Sequence, residues 1–164
     1  MQQSLISKVF ALEYSKSGYH SNPKLAGIKH CNRLEQILAR SDLSSDEAIM
    51  LDEKKNVVSV TQGNIYLIFG NKLLTPKLDR CGVVGSRRSL ILELAMSLKM
   101  EALESNISIN QAQKADEVFI SNSVIGIQPV HSIEIHKFGQ NPLTEKIQKA
   151  FLSKTKEISS WTCP

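Results

Sequence analysis

The sequence predicts a single α+β domain, in which short strands form a sheet that packs with amphipathic helices. Three observations support this prediction. Short apolar runs alternate with polar turn residues between positions 47 and 75, as in a series of short strands. A longer segment, from 86 to 98, repeats its apolar residues at helical spacing. The 164 residues contain no internal repeat, low-complexity tract or linker, and they therefore fit one domain.

The first part of the chain predicts a strand, a loop and a helix. Residues 4 to 14 are rich in β-branched and apolar types, which favours a strand, and the polar residues 15 to 23 favour a loop. Asn32, with Glu35 three residues later, fits a capping box and predicts that a helix begins there. Apolar residues follow at helical spacing: Leu34, Ile37 and Leu38.

Residues 47 to 75 are predicted to form a β-meander, in which consecutive strands pair. Gly70-Asn71 fits a tight turn into the last strand, Lys72 to Thr75, and Pro76 ends that strand. The three preceding strands are predicted from apolar runs: Ala48 to Leu51, Val57 to Val60 and Ile65 to Phe69.

The second half of the chain predicts further helices and strands. A loop from 77 to 85 leads into a helix from Ser86 to Leu98. The last helix is predicted to begin at Pro142, with Asn141 as its cap, and residues 153 to 164 are predicted to be frayed. Between these helices the pattern predicts strands at 101–107, 117–121 and 127–135 and a short helix at 109–114.

Composition narrows the classes of function. The net charge of +4 is spread along the chain, which favours a solvated surface and leaves an anionic small ligand as the second interpretation. The chain has few aromatic residues and no nucleic-acid recognition signature, which disfavours nucleic acid as a partner. Cys31, Cys81 and Cys163 have neither disulfide nor zinc spacing, so no metal site is predicted. With neither a signal peptide nor an apolar run of roughly 20 residues, the chain is predicted to be cytoplasmic, without a membrane partner.

Residues 82 to 88 place glycines and two arginines at the start of a predicted helix, and they are a candidate phosphate site. A helix N-terminus carries unpaired N–H groups and a partial positive charge, so Arg87 and Arg88 in its first turn are electrostatically unfavourable. Glycines before this turn allow close approach of the backbone to a phosphate. The alternative is that both arginines point into solvent or pair with Asp79 or Glu93.

Lys29 is a candidate nucleophile, because it lies among apolar neighbours just before the first predicted helix. Desolvation there would disfavour the charged form of its amine. The alternative is an ordinary surface lysine. Other titratable residues indicate no chemistry, since the four histidines lack metal spacing and no catalytic triad, P-loop or dinucleotide fingerprint is present. Three acidic pairs are predicted to be solvated turns: Asp46-Glu47, Asp52-Glu53 and Asp116-Glu117.

Several segments together resemble the aminodeoxychorismate lyases, which belong to the fold type IV enzymes that use pyridoxal 5'-phosphate (PLP). The residues from Pro23 to Gln36 are similar to the lysine signature of these lyases, and they favour a lyase over the branched-chain and D-amino-acid aminotransferases of the same group. Further similar segments follow in the same order: Asp46 to Ala48, Asn64 to Tyr66, Leu74 to Pro76, Gly82 to Gly85, Ala115 to Ser123 and Gln128 to Val130.

The resemblance implies the C-terminal large domain of a fold type IV enzyme, with a β-meander or pseudo-barrel sheet packed with helices. It implies PLP as the cofactor and Lys29 as the catalytic, Schiff-base lysine. Residues at the start of the helix would hold the phosphate, a second turn would contact it, and Val83 would pack on the pyridine ring. The implied cofactor-binding residues besides Lys29 are Ser59, Val83, Gly85, Ser86, Arg87, Asn122 and Ser123.

The implied reaction is carbon–oxygen lysis of 4-amino-4-deoxychorismate to 4-aminobenzoate and pyruvate, in folate biosynthesis, by a homodimer. The substrate amine would displace Lys29, which would then remove the C4 proton while the enolpyruvyl group leaves as pyruvate. No keto-acid acceptor is needed. The alternatives are a branched-chain or D-amino-acid aminotransferase and a non-catalytic remnant of the fold.

Two departures from the family pattern stand out. The family's glutamate, which pairs with the pyridinium nitrogen, aligns with Ser59, and a serine cannot supply a negative charge. Met1 aligns almost with the start of the family's second domain. Residues 1–164 are therefore expected to form a single PLP-binding domain without the family's N-terminal domain.

Overall fold

A computed structural model describes the backbone of residues 9 to 159 and the side chains of residues 9 to 156. Within this range the predicted α+β class is confirmed, because four helices pack with a sheet of ten strands. The helices are α1 (Leu34–Ser41), α2 (Arg88–Ser97), α3 (Ile109–Gln113) and α4 (Pro142–Ser159). The strands are β1 (Phe10–Tyr14), β2 (Glu47–Leu51), β3 (Asn56–Val60), β4 (Asn64–Phe69), β5 (Lys72–Pro76), β6 (Glu101–Ser105), β7 (Ile107–Ser108), β8 (Glu117–Asn122), β9 (Gly126–Ile133) and β10 (His136–Lys137).

The sheet is mixed, with the strand order β6-β5-β4-β8-β9-β1-β2-β3-β7 and with β10 beside β9. β1 runs parallel to both of its neighbours, β9 and β2, and β5 runs parallel to β6. The other neighbours pair antiparallel. β1 begins at Phe10, so the N-terminal part of the predicted strand, residues 4 to 8, lies outside the described range.

The four strands predicted between 47 and 75 all form, but their arrangement as a β-meander is wrong. β2 pairs with β3, and β4 pairs with β5. In the described range, an isolated bridge joins Val60, the last residue of β3, to Gly63, which precedes β4, while β8, β9 and β1 lie between β4 and β2. The predicted strand 101–107 is likewise divided into β6 and β7, which pair at opposite ends of the sheet. Apolar runs predict strands, but they do not specify partners that are distant in sequence.

The core lies on both faces of the central strands β4 and β8. Alternate side chains of a strand point to opposite faces, and here both faces are apolar. Ile65 packs into the cluster on one face, whereas Tyr66 points to the other and stacks on Phe119, with ring centroids 4.6 Å apart. α2 and α4 cover this second face with Ile91 and Phe151. The continuous apolar runs therefore reflect burial on both sides of the sheet.

Helix α1 begins at Leu34, and the capping box predicted at Asn32 is wrong. The N-cap position, Arg33, makes no side-chain cap hydrogen bond. Glu35 instead accepts a hydrogen bond of 3.0 Å from the backbone N–H of His20 and lies 2.9 Å from Nδ1 of the same residue. The carboxylate that would have completed the cap is therefore engaged with the preceding loop.

The buried face of α1 is not the one that helical spacing predicted. Gln36 and Ala39 are buried, and Gln36 Nε2 donates a hydrogen bond of 2.8 Å to the hydroxyl of Tyr19. α1 therefore covers a polar site, which explains why a polar residue faces inward. The predicted apolar residues are exposed: Leu34, Ile37 and Leu38.

Helix α4 begins at Pro142, as predicted, and continues to Ser159. The prediction that the chain frays from 153 is therefore wrong for residues 153 to 159, while residues 160 to 164 lie outside the described range. Phe151 is buried against the sheet, and Thr155 Oγ1 donates to its carbonyl at 2.9 Å, so the helix stays regular past its last core residue. In the described range, no helix combines the length and apolar character needed to cross a membrane.

Two glutamates that were predicted to lie in solvated turns are buried. Oε1 and Oε2 of Glu117 accept hydrogen bonds from the backbone N–H groups of Leu143 and Thr144, at 2.9 and 2.8 Å. A carboxylate of β8 thus caps helix α4 where its N–H groups have no partner within the helix. Glu47 is also buried, and it joins a polar network below the pocket described next.

Candidate active site

An open pocket of about 930 Å³ brings together segments that are far apart in the sequence. Its wall is formed by the segment before α1, the β3–β4 connection, the loop before α2 and the β8–β9 turn. The volume lies within the range of small-molecule sites in proteins. All of the predicted site residues line this pocket: Lys29, Ser59, Val83, Gly85, Ser86, Arg87, Asn122 and Ser123.

The segment that carries Lys29 is tied to the loop before α2. The backbone N–H of Gly27 donates to the carbonyl of Gly82, and the N–H of Val84 donates to the carbonyl of Gly27, both at 3.0 Å. Gly27 and Gly82 have φ angles of 79° and 86°, which glycine adopts without a steric penalty. These bonds hold Lys29 and the predicted phosphate loop on the same pocket.

The predicted desolvation of Lys29 is wrong for the structure described here. The lysine is exposed within the pocket. Its apolar neighbours do not cover it, because Leu25 and Ile28 are themselves 42% and 52% exposed. The amine is therefore accessible to a ligand, and its surroundings are those of a surface cleft.

Asn64, which was not predicted as a site residue, fixes the loop before α2. Its Nδ2 donates to the carbonyl of Val83 at 2.9 Å, and its Oδ1 accepts from the backbone N–H of Gly85 at 3.2 Å. A Cβ atom at Gly85 would lie 2.3 Å from Asn64 Oδ1, so this position requires glycine. The signal available in the sequence was a polar residue directly before the apolar run 65–69.

The N-terminus of α2 presents unpaired donors to the pocket. In the part of the chain that the structure describes, the backbone N–H groups of Ser86 and Arg87 have no protein acceptor. The hydroxyl oxygens of Ser86 and Ser123 lie 3.2 Å apart, so the β8–β9 turn meets the helix start. Unpaired N–H groups, two hydroxyls and the helix dipole together suit a phosphate or another anion.

Asn122 builds the β8–β9 turn with its side chain. Its Oδ1 accepts hydrogen bonds from the backbone N–H groups of Val124 and Ile125, both at 2.8 Å, and its Nδ2 donates to the carbonyl of Gln62 at 3.0 Å. These bonds fix the turn that places Ser123 opposite α2. Asn122 therefore shapes the pocket through the turn.

The two arginines at the start of α2 have different environments. Arg88 is buried and donates to Glu104 Oε1 and to the carbonyl of Pro76, both at 2.8 Å, so the predicted alternatives of solvent, Asp79 or Glu93 are wrong for it. The hydrogen bond from Arg88 holds the pKa of Glu104 below its ordinary value of 4.5. Arg87 lines the pocket, with its guanidinium carbon 5.4 Å from the centroid of the Phe151 ring.

A chain of buried, neutral hydrogen bonds lies below Ser59. Gln36 Nε2 donates to the hydroxyl of Tyr19 at 2.8 Å, the Tyr19 and Ser59 hydroxyls are 3.3 Å apart, and Ser59 Oγ donates to the carbonyl of Val60 at 2.9 Å. Because the Ser59 proton is engaged with that carbonyl, the proton between the two hydroxyls belongs to Tyr19. Ser59 therefore offers a lone pair, without a charge, to the pocket. Tyr19, which also lines the pocket, was missed because nothing in its own loop indicates this contact.

A second polar network holds Arg33 at the pocket wall. Arg33 Nη2 donates to the carbonyl of Thr61 at 3.0 Å. The Thr61 hydroxyl donates to Glu47 Oε1, which also accepts from Arg40 Nη1 at 3.2 Å and from the backbone N–H of Ala48 at 2.9 Å. Arg40 Nη1 also lies 3.1 Å from Thr61 Oγ1. The buried carboxylate of Glu47 thus fixes Thr61, and Thr61 positions Arg33.

The pocket carries an excess of positive charge. Three of its lining residues have basic side chains: Lys29, Arg33 and Arg87. Among the described residues that line it, none is Asp or Glu. The described residues also contain no cluster of three or more side chains that could hold a metal ion. The arrangement suits a ligand with more than one anionic group.

Comparison with known proteins places this geometry in a family. The sequence profile described as amino-transferase class IV matches residues 3–133. Aminodeoxychorismate lyase from Vibrio harveyi is 32% identical over 133 residues, which cover 77% of this chain and 49% of the relative. A branched-chain-amino-acid aminotransferase from Pseudomonas aeruginosa is 31% identical over 124 residues, which cover 71% of this chain and 40% of the relative. This chain therefore spans about half the length, or less, of these relatives.

Solved structures agree with the sequence comparison. The crystal structure of 4-amino-4-deoxychorismate lyase from Pseudomonas aeruginosa superposes with a TM-score of 0.85 and 36% identity, over 89% of this chain and 55% of that one. A branched-chain aminotransferase from Thermoproteus uzoniensis shares the fold, with a TM-score of 0.86 at 23% identity over 97% and 57% of the two chains. The chain belongs to the class IV aminotransferase family of fold type IV, and it is similar both to aminodeoxychorismate lyases and to branched-chain aminotransferases.

Proposed function

We propose that this chain is the cofactor-binding domain of a lyase that converts 4-amino-4-deoxychorismate into 4-aminobenzoate and pyruvate. The observation that carries the proposal is the placement of the Lys29 amine on the same pocket as the unpaired N–H groups of Ser86 and Arg87. An amine nucleophile beside a phosphate site is the arrangement that a PLP enzyme needs. The homodimer implied by the resemblance is part of the same proposal.

The residues present fit PLP. The phosphate would bind the N–H groups of Ser86 and Arg87 and the hydroxyl of Ser123, where the helix dipole favours an anion. Gly85 allows the close approach, Asn122 shapes the facing turn, and Val83 offers an apolar surface to the ring. These are the residues that we propose hold the cofactor, together with Lys29 and Ser59.

Lys29 performs the proton transfer in this proposal. PLP, when bound, supplies an aldehyde that binds amines and an electron-withdrawing ring that accepts an electron pair. The ε-amine of Lys29 would hold the aldehyde in the absence of substrate and, with substrate bound, would take the proton from C4 of the substrate. The bond from C3 to the enolpyruvyl oxygen breaks, and the leaving group takes up a proton to become pyruvate. Because the six-membered ring becomes aromatic, the step has a driving force that amino-group transfer lacks.

Ser59 would leave the position next to the cofactor ring without a negative charge. By its alignment with the family glutamate, it would face the ring nitrogen. Its lone pair can accept a hydrogen bond there, but its engaged proton and neutral partners, Tyr19 and Gln36, supply no negative charge. The ring would then be a weaker electron acceptor than with a carboxylate, which the aromatic product offsets.

The lyase is favoured over an aminotransferase by the segment from Lys29 to Glu35, which resembles the lyases. It is also supported by the relatives at 32% and 36% identity that carry this activity in their names. The aminotransferase remains the second candidate, since the branched-chain enzyme from Pseudomonas aeruginosa is 31% identical.

Product analysis separates the candidates. The protein with added PLP is given 4-amino-4-deoxychorismate, and pyruvate is measured with and without a branched-chain 2-oxo acid. A lyase releases pyruvate and 4-aminobenzoate in equal amounts without the 2-oxo acid. Conversion of the 2-oxo acid into the branched-chain amino acid, without release of pyruvate, indicates an aminotransferase, and PLP binding without either reaction indicates a non-catalytic remnant. Lys29→Ala is the control, because it removes the proposed base while leaving the phosphate site intact.

A further inference from the structure

We propose that Arg33 forms a second anion site in the pocket, which binds a carboxylate of the substrate. This inference rests on the proposed function and deepens it, because it assigns a binding residue to the part of the ligand that is not the cofactor. The first anion site lies at the start of α2 and the β8–β9 turn. Arg33 lies at a different place, on the segment that enters α1 and against the β3–β4 connection.

The guanidinium of Arg33 is held in place but is not neutralised. One of its five N–H donors is bound to a carbonyl oxygen, that of Thr61. In the described part of the chain, no carboxylate lies within 4.0 Å of Arg33, whereas Arg40 and Arg88 each pair with a glutamate. A cation that lines a pocket without a counter-ion leaves its remaining donors available to a ligand.

The support behind Arg33 is built from buried groups. Thr61 and Glu47 are 1% and 5% exposed, and the Thr61 hydroxyl donates to the Glu47 carboxylate. Arg40 bonds both of them, so that the charge of Glu47 is balanced within the network and not by Arg33. The network therefore fixes the carbonyl that orients Arg33 while leaving the charge of Arg33 uncompensated.

A carboxylate is the anion that fits this position. The phosphate has its own donors at Ser86, Arg87 and Ser123, so a second cation is not needed there. The planar fork of an arginine matches a carboxylate with two parallel hydrogen bonds. Both 4-amino-4-deoxychorismate and 4-aminobenzoate carry a carboxylate on the ring, opposite the amine that meets Lys29.

Binding of a matched pair of ligands tests the assignment. The PLP-loaded protein is titrated calorimetrically with 4-aminobenzoate and with 4-aminobenzamide, which has the same shape but no charge. We expect the wild type to prefer the acid. Arg33→Met should weaken the binding of 4-aminobenzoate by about 10- to 100-fold and remove the preference for the acid over the amide, as expected for loss of a charge-assisted hydrogen bond. Arg33→Lys should recover part of it.

Two controls separate binding from structure. The affinity for PLP and the melting temperature of Arg33→Met should stay near those of the wild type, since Arg33 does not support the phosphate site. Lys24→Met removes the same charge from an exposed residue outside the pocket wall, and it should leave 4-aminobenzoate binding unchanged.

The outcomes distinguish this inference from the proposed function. If Arg33→Met weakens the binding of PLP and leaves the preference for the acid intact, Arg33 binds the cofactor and the assignment is overturned. If 4-aminobenzoate does not bind the wild type but a branched-chain 2-oxo acid binds in an Arg33-dependent way, the carboxylate site stands and the lyase proposal fails. If no carboxylate tested depends on Arg33, the assignment is overturned.

Discussion

The hydroxyl oxygens of Ser86 and Ser123 lie 3.2 Å apart, although the two residues are 37 positions apart in the chain. This contact joins the start of α2 to the β8–β9 turn at the pocket. Asn64 supports the arrangement from below, because it bonds both Val83 and Gly85. The proposed phosphate site therefore depends on two segments: the loop before α2, which Asn64 fixes, and the β8–β9 turn, which Asn122 fixes.

Gly85→Ala is expected to weaken PLP binding by about tenfold or more. The new Cβ would lie 2.3 Å from Asn64 Oδ1, so the loop before α2 must move away from the position that exposes its N–H groups. Equilibrium titration should show weaker binding of PLP but little change for pyridoxal, which lacks the phosphate. Gly139→Ala is the matched control, since its Cβ meets no atom within 4 Å. Unchanged PLP affinity in Gly85→Ala would contradict this account of the loop.

Ser59→Glu is expected to raise the proton affinity of the cofactor's ring nitrogen. A carboxylate at hydrogen-bonding distance shifts a pKa by about 1 to 3 units towards the charged form of its partner. Ser59→Gln has a similar size without the charge and is the control. Nitrogen-15 NMR of labelled PLP should report the protonation, and turnover should be about tenfold faster with Glu than with Gln. Equal spectra and equal rates in the two variants would mean that Ser59 does not face the ring.

Glu117→Gln is expected to lower the free energy of unfolding by about 1 to 2 kcal/mol. Its two carboxylate oxygens cap α4 from β8, and an amide offers one acceptor and no charge to the helix dipole. Urea denaturation measures the change. Glu145→Gln, an exposed residue in the first turn of the same helix, should change the free energy of unfolding by less than about 0.5 kcal/mol. Equal effects of the two substitutions would show that the cap contributes nothing.

The ion pair of Arg88 and Glu104 is expected to make stability sensitive to acid. The pKa of Glu104 is lowered in the folded state, so its contribution is present above its unfolded pKa, near 4.5, and is lost as pH falls through the folded pKa. Glu104→Gln should lower the free energy of unfolding by about 1 kcal/mol at pH 7, a modest value because Glu104 is partly exposed. The difference from the wild type should vanish at acid pH. Denaturation curves between pH 3 and 7 measure it.

An exposed ion pair between β5 and β6 is the control for this pH dependence. Lys72 and Glu101 lie 2.9 Å apart with both side chains at least half exposed. Glu101→Gln should change the free energy of unfolding by less than about 0.5 kcal/mol at every pH. A Glu104→Gln difference that persisted at pH 3 would refute the assignment of the effect to the charge of Glu104.

The positions of strands and helices could be predicted from the sequence, but several of their partners could not. The apolar runs of β4 and β8 predicted strands correctly because both faces of the sheet are buried. The same runs gave no information on the strands inserted between β4 and β2, since pairing between distant segments is set by the whole fold. The helical spacing of apolar residues also predicted the wrong buried face for α1. Its buried residue Gln36 donates a hydrogen bond to Tyr19, which lies in the loop before the helix.

Charged residues show the same limit at the site. Glu47 and Glu117 were predicted to lie in solvated turns, and Arg88 was predicted to lie at a phosphate site or, alternatively, in solvent or paired with Asp79 or Glu93. The local sequence does not reveal the buried partners of these residues. Each is buried with a partner from another element, and their roles follow from contacts and not from spacing. The pocket residues were found together because an ordered set of motifs carries more information than any single residue.

Covalent labelling of the lysine tests the central claim most directly. The protein is incubated with PLP, treated with borohydride to fix the cofactor on the amine that binds it, and digested for peptide mass mapping. The account predicts that one phosphopyridoxyl group is found on Lys29, that it is absent from Lys29→Ala, and that it persists in Lys24→Ala. A label spread over other lysines, or its persistence at an unchanged level in Lys29→Ala, would contradict it.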